Sequence, residues 1–257
     1  MKSPDIRKEN KPEKVYIYGR HALMEALAEA PHTIKKAFLA PETDENVRAK
    51  LVAAGIPVSE LKTQEAAGFA GRDAVHQGII AVMDPEKLMV SFDTFVKNLD
   101  IASNPAVLIL GEVQDPHNVG AIIRSAAGFG LAAVLIPEHN QAQVTGTVVK
   151  TSAGMAFRIP LVRIGNVNNA ARALKERGFW IYGLAMDGSK PLAEETFDTP
   201  SAFIVGNEGS GIREKTLELC DITLSIPMHP RTESLNAAVS AAIVCYAWSL
   251  KNPAALT

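Results

Sequence analysis

Cysteine is nearly absent: Cys220 and Cys245 are the two in 257 residues, too few for a disulfide framework or a Cys-rich zinc site. That scarcity fits a reducing, cytoplasmic setting. Net charge is also missing. The 26 Lys+Arg and 28 Asp+Glu leave a formal −2, so no global basic field draws a polyanion. A local positive excess remains in residues 1–20, with six basic and three acidic side chains. Long apolar runs are lacking too. The longest charge-free run, Ser234–Leu250, falls short of the roughly 20 residues of a membrane span and, rich in Ala and Ser, reads as a buried helix. The N-terminal MKSPDIRKENKPEKV has no apolar h-region, unlike a signal peptide. His21, His32, His76, His117, His139 and His229 show neither HExxH nor a Cys/His metal spacing, so no metal site is expected. There is no GxSxG elbow either, which removes one class of hydrolase.

What remains is a chain with 47% hydrophobic and 21% charged residues, able to bury a core. Its first part alternates strand and helix. Strands are expected at Val15–Tyr18, Ile34–Leu39, Pro57–Leu61 and Gly78–Met83, with helices at 21–30 and Glu45–Ala54 and a short helical piece at Glu65–Phe69. Residues 1–84 thus read as a tail plus a small α/β domain, and 85–104 as a linker with a short helix at Ser91–Leu99. Residues 105–257 alternate more clearly. Strands are expected at Ala106–Leu110, Ala132–Ile136, Trp180–Leu184, Ala202–Val205 and Ile222–Ile226, with helices at Val119–Phe129, Asn168–Arg177, Ile212–Leu219 and Leu235–Leu250. Such alternation implies a parallel sheet covered on both faces.

Three segments follow the C-terminal ends of expected strands, where open α/β sheets place ligands. In LILGEVQDPHNVGAIIRSAAGFG, residues 108–130, Asn118 sits where a helix cap would be. Arg124 stands among Ile122, Ile123, Ala126 and Ala127, where a guanidinium needs a partner or water; anion binding, a structural ion pair and a surface arginine are all open. In SAFIVGNEGSGIREKTLEL, residues 201–219, glycines let backbone approach a ligand closely. No Gly-Lys-Ser/Thr follows them, so this is not a P-loop. Glu208 at its tip would repel a phosphate, or else serve the following helix N-terminus. In LSIPMHPRTESLNAAVSAAI, residues 224–243, Ser234 and Asn236 bracket a helix start and are either cap residues or groups that orient a substrate hydroxyl.

Taken together and in this order, DPHNVGAIIRSAAGFG, FIVGNEGSGI and IPMHPRTESLNAAVSAAI resemble the SPOUT superfamily, specifically its SpoU (TrmH) family of RNA ribose 2′-O-methyltransferases. YIYGRHALMEAL and HQGIIAVM resemble the L30e-like RNA-binding domain found ahead of the catalytic domain in bacterial 23S rRNA guanosine 2′-O-methyltransferases. The resemblance implies a C-terminal knotted (trefoil) α/β domain with a parallel sheet and a homodimer. It also implies S-adenosylmethionine as methyl donor, held by Gly206, Ile226 and Leu235 with Leu184, Asn207 and Met228 beside them. Asn118, Arg124, Glu208, Ser234 and Asn236 would form the active site. The small-residue face Ala237, Ala238, Ala241 and Ala242 of the last helix would suit close packing in such a knotted homodimer, and His229 or Arg231 would touch RNA.

No metal is required by this chemistry, because a sulfonium supplies the electrophile. Arg124 would act as the base, for which its pKa above ~12 is awkward, or as a cation that stabilises a developing alkoxide. RNA rather than DNA follows if the attacked group is a 2′-hydroxyl. The expected substrate is a guanosine of 23S rRNA. A tRNA methyltransferase, a non-catalytic RNA- or ribosome-binding protein, and a phosphate-binding α/β enzyme are the other readings.

Overall fold

A computed structural model of the chain describes residues 15–62, 68–69 and 76–257. Near the N-terminus, β1 (Val15–Tyr18), α1 (Arg20–Glu29), β2 (Ile34–Leu39), α2 (Glu45–Ala53), β3 (Val58–Glu60) and β4 (Ile79–Met83) build a sheet of order β1-β4-β2-β3. Strand β4, IIAVM, is buried along its whole length because it pairs antiparallel with β1 on one side and β2 on the other. Asp44 caps α2 by accepting from the Asn46 amide at 2.9 Å, as short acceptor side chains do at helix starts. Of the expected helical piece Glu65–Phe69, residues 65–67 lie outside the described residues.

The second unit is an eight-stranded sheet of order β10-β12-β9-β11-β6-β7-β8-β5. Its strands are β5 (Met89–Ser91), β6 (Ala106–Gly111), β7 (Ala133–Pro137), β8 (Leu161–Ile164), β9 (Trp180–Leu184), β10 (Lys190–Pro191), β11 (Ser201–Gly206) and β12 (Ile222–Ser225). Every neighbouring pair is parallel. Alternation along β6 explains the two cores: Ala106, Leu108 and Leu110 pack on one face, Val107 and Ile109 on the other. Helices α4 (Pro116–Gly128), α5 (Gly146–Thr151) and α8 (Ala237–Lys251) supply the first face, and α3 (Phe92–Asn98) and α6 (Val167–Glu176) the second. The short α7 (Glu214–Leu217) follows β11. Among the described residues no helix is long and apolar enough to cross a membrane. Cys245 is fully buried in α8, and burial pushes its thiol up.

One expectation needs correction. The 85–104 segment is not a free connector: β5 joins the large sheet by pairing with β8, while the short helix expected at Ser91–Leu99 forms as α3 and places Phe95 in the second core. Along the last helix the alanines divide, Ala237 and Ala242 being half-buried. Ala238 and Ala241 are buried against the sheet, and the helix's exposed apolar side chains are Val239, Tyr246 and Leu250. These recur at i, i+7 and i+11 and so share one face.

Helix α5 joins the two units. A Cβ on Gly146 would lie 2.0 Å from the Tyr16 carbonyl oxygen, so β1 and α5 touch backbone to backbone. Arg158 donates to Glu25 at 2.6 Å and lies 3.6 Å from Glu29. The Arg158 hydrogen bond holds the Glu25 carboxyl below its ordinary range. On its other side α5 packs on α4 at Gly120, where an added Cβ would sit 2.8 Å from the Val148 carbonyl oxygen and 2.7 Å from Thr151 Cβ. Backbone cannot yield as a flexible side chain does. Gly120→Ala is therefore expected to destabilise by about 1–3 kcal/mol, while Gly128→Ala, with nothing within 4 Å, should be neutral or slightly stabilising. Thermal unfolding of the pair checks this.

Candidate active site

Strands β6 and β11 run in parallel register with Gly111 opposite Gly206, so the chain leaves both at the same edge of the sheet. The loop after β11 is closed on itself: Asn207 and Gly211 exchange backbone hydrogen bonds, each 2.9 Å. Asn207 Oδ1 accepts from the Gly209 and Ser210 amides at 2.9 and 3.1 Å. Gly206 must be glycine, because a Cβ would come within 2.3 Å of the Gly211 carbonyl carbon. Asn207 Nδ2 also donates to the Glu112 carbonyl at 2.9 Å. Glu112 itself has φ 69°, a left-handed conformation that costs a side-chain-bearing residue energy, and Arg213 grips its carboxylate at 2.7 and 3.0 Å.

Glu208 ties this loop to its neighbours. Its carboxylate accepts from the backbone amides of Gln114 and Asp115, both at 3.1 Å, and from Asn118 Nδ2 at 3.0 Å. Asn118 Oδ1 in turn accepts from Asn236 Nδ2 at 2.9 Å. Asn236 Oδ1 caps α8 through the Ala238 and Val239 amides at 2.8 and 3.3 Å. A carboxylate only accepts, so Glu208 dictates which way both amides face. Partial burial pushes the Glu208 carboxyl up, but the Asn118 amide and the two backbone amides outweigh it and hold the group below the usual carboxylate range.

Beside this chain of bonds lies a cleft of about 540 Å³. Leu184, Gly206, Asn207, Glu208, Ile226, Met228, Ser234 and Leu235 all line it, with Val205 and Leu224 adding apolar wall. The backbone amides and carbonyls of Ile226, Met228 and Leu235 have no hydrogen-bond partner among the described residues. Apolar walls with unspent backbone donors and acceptors suit a flat heterocycle bound by its edge. Among the described residues no group of three His, Cys, Asp or Glu gathers to hold a metal ion.

Some residues stand elsewhere than expected. Asn118 is not the cap of α4. Asp115 is, accepting from the His117 amide at 2.8 Å, and Asn118 is buried one turn in. Glu208 serves the loop after β6 rather than the helix that follows it. Arg124 lies outside the cleft and is exposed. Its neighbours Ile122, Ile123 and Ala126 turn into the core, and the helical advance carries Arg124 out to water. It has no ion pair or hydrogen bond among the described residues. Gln114 and Asp115 escaped sequence reasoning because they act through backbone amides; only the turn signal at Asp115-Pro116 pointed there.

Residues 105–246 match the model of the SpoU rRNA Methylase family, and residues 16–89 match the RNA 2′-O ribose methyltransferase substrate binding domain. The chain belongs to the SpoU methylase family. One relative within it is the 23S rRNA (guanosine-2′-O-)-methyltransferase RlmB of Pectobacterium atrosepticum, 36% identical over 90% of this chain and 95% of the relative. The RlmB of Neisseria meningitidis is 34% identical over 89% and 92%. A TrmH family tRNA/rRNA methyltransferase of Staphylococcus saprophyticus is 33% identical over 91% and 94%. The SpoU fold is also that of AviRb from Streptomyces viridochromogenes in complex with AdoMet, with a TM-score of 0.82, 21% identity and coverage of 96% and 94%.

In Asn118→Ala the candidate site keeps its cleft but loses the link between Glu208 and Asn236. A loss of about 1–3 kcal/mol is expected for partners left unpaired, visible as a fall of several degrees in Tm. The Glu208 pKa is depressed on folding, so its contribution is present above the ordinary glutamate pKa of ~4.3 and is lost as pH falls through the folded value. Acid unfolding of a Glu208→Gln variant should accordingly be shallower than that of the parent.

Proposed function

We propose that the chain transfers a methyl group from S-adenosylmethionine to a ribose 2′-hydroxyl of rRNA, on a guanosine of the 23S molecule. The observation that carries this is the Glu208–Asn118–Asn236 chain of hydrogen bonds at the mouth of a cleft with apolar walls and unpaired backbone groups. Gly206, Ile226 and Leu235, with Leu184, Asn207 and Met228, would hold the donor, which supplies a methyl electrophile on a sulfonium. The names of relatives about 35% identical over nine-tenths of the chain support the substrate. A cytoplasmic location follows from it.

The protein's own groups then have separate tasks. Ser234, exposed at the cleft, and Asn236, fixed by its bonds to Asn118 and the start of α8, orient the nucleotide and its hydroxyl. Alignment of this kind is worth several kcal/mol in an in-line displacement. Glu208 is a positioning residue: it holds the 114–118 segment against the loop after β11. Arg124 grips the RNA phosphate and stabilises negative charge as the 2′-oxygen attacks the methyl group and passes its proton to water. Residues 1–84 form the RNA-selecting domain and 105–257 the catalytic one. The insertion of β12 between β9 and β10, with α8 lying across α4, supports a trefoil-knotted path.

A homodimer completes this reading. Val239, Tyr246 and Leu250, 46%, 51% and 59% exposed, form an apolar face on α8, and Phe129, just after α4, packs on Tyr246 at 5.6 Å. Tyr246→Asp is expected to yield a monomer in sedimentation analysis, whereas an unchanged dimer would place the interface elsewhere.

The deciding measurement supplies labelled S-adenosylmethionine and total RNA lacking the modification, followed by nuclease digestion and nucleoside mass analysis. 2′-O-methylguanosine in 23S rRNA is expected; label in tRNA would overturn the substrate, and no label the activity. Arg124→Ala should lower transfer by about 10²–10³-fold and leave S-adenosylmethionine affinity unchanged, measured by calorimetry.

A further inference from the structure

A second groove, of about 330 Å³, lies beside the cleft along the carboxyl edge of the large sheet, where Gly111, Pro137 and Gly165 stand at the ends of β6, β7 and β8. That volume is at the small end of ligand pockets. Ile212 lines both cavities, so the chain that follows β11 is their common wall. Their charges are opposed. Asp187, Glu208 and Glu233 are the charged residues of the cleft, which no Lys, Arg or His lines. The groove carries Arg213, Lys215 and His139, and Glu112 is its one carboxylate.

The groove is also built of donors. Arg213 spends Nε and Nη2 on a single carboxylate oxygen of Glu112, at 3.0 and 2.7 Å. That grip neutralises the carboxylate, fixes the guanidinium plane and leaves Nη1 free. The side chains of Lys215 and His139 have no partner among the described residues. Around them the amide oxygens are already taken. Asn166 Oδ1 accepts from the Asn168 and Asn169 amides at 2.9 and 3.2 Å, and Asn168 Oδ1 accepts from Thr216 Oγ1 at 2.6 Å. Their Nδ2 groups are left to donate. Cations and free donors, with the acceptors spent, match an oxyanion.

We infer that this groove is a phosphate site, with Arg213, Lys215 and His139 closing on the phosphate oxygens. Opposed charges on the two sides of one wall sort two ligands, a sulfonium to the acidic cleft and a phosphate to the basic groove. A phosphate placed in the cleft would meet three carboxylates and no cation. Every residue of the site lies in the large-sheet unit, outside the matched substrate-binding residues 16–89. The phosphate is a diester of the RNA strand whose target ribose occupies the cleft. That source, and not the phosphate chemistry, rests on the methyltransferase reading.

Thermal unfolding of the full chain in inorganic phosphate and in chloride of equal ionic strength tests the site without any need for catalysis. Phosphate should raise Tm by about 2–4 °C more in the parent than in Lys215→Gln or His139→Gln. Lys97→Gln removes an exposed lysine of α3 that does not line the groove, and should respond as the parent does. An equal phosphate response in all four proteins would overturn the inference. Anisotropy of a fluorescein-labelled oligoribonucleotide then identifies the source. Lys215→Gln should weaken its binding about tenfold and flatten the slope of log K against log salt by about 0.7. Uridine 5′-monophosphate should compete no better than inorganic phosphate; competition at far lower concentration would overturn the RNA strand as the source in favour of a free nucleotide. A phosphate response that depends on Lys215, without methyl transfer to any RNA, would instead sink the proposed activity and leave the site standing.

Discussion

One carboxylate organises the site. Glu208 reaches across from the loop after β11 to the segment after β6 and, through Asn118, to the cap of α8. Each of these pieces leaves the same edge of a parallel sheet, where no strand pairing remains to fix it. An ionised acceptor facing several donors is the strongest local constraint that neutral amides can be given, and it orders both asparagines at once. The low pKa of Glu208 is the other side of the same fact: the donors that fix the loop also keep the group charged.

A second constraint sits further back, in the contacts of α5. Gly146 faces β1 of the N-terminal unit and Gly120 of α4 faces α5. The small sheet is thereby seated on the helix that is seated on the carrier of Asn118. Packed interfaces of this kind transmit position because they have no slack. The placement of the N-terminal sheet and the geometry of the site are thus consequences of the same two close approaches.

The sequence displayed the middle of the large sheet well and its margins poorly. Strands β6, β7, β9 and β11 are continuous apolar runs because both their faces are covered. β5 and β10 are edge strands of three and two residues, and β8 is a four-residue strand directly after Pro160; tertiary pairing makes them strands, so no local pattern announces them. At the site, Asn118, Glu208 and Asn236 were visible as polar residues near strand ends. Their arrangement was not, since half of it runs through main-chain amides. Around Arg124 the apolar neighbours in sequence suggested desolvation, but consecutive residues on a helix face different ways and its side chain is exposed. The alanines of α8 were likewise judged by size, and their direction is set by the sheet beneath them.

The position of β12 has a consequence for how the protein is made. It lies between β9 and β10 rather than at a margin, so the strand synthesised last in the sheet must enter a gap between two already present. The 226–236 segment that lines the cleft follows it immediately. A nascent chain can therefore assemble most of its core, including the pairing of β6 with β11, while still unable to form the cleft. Formation of the cleft is thus coupled to a highly non-local pairing event, and a formed cleft reports that the strands around it have reached their native order.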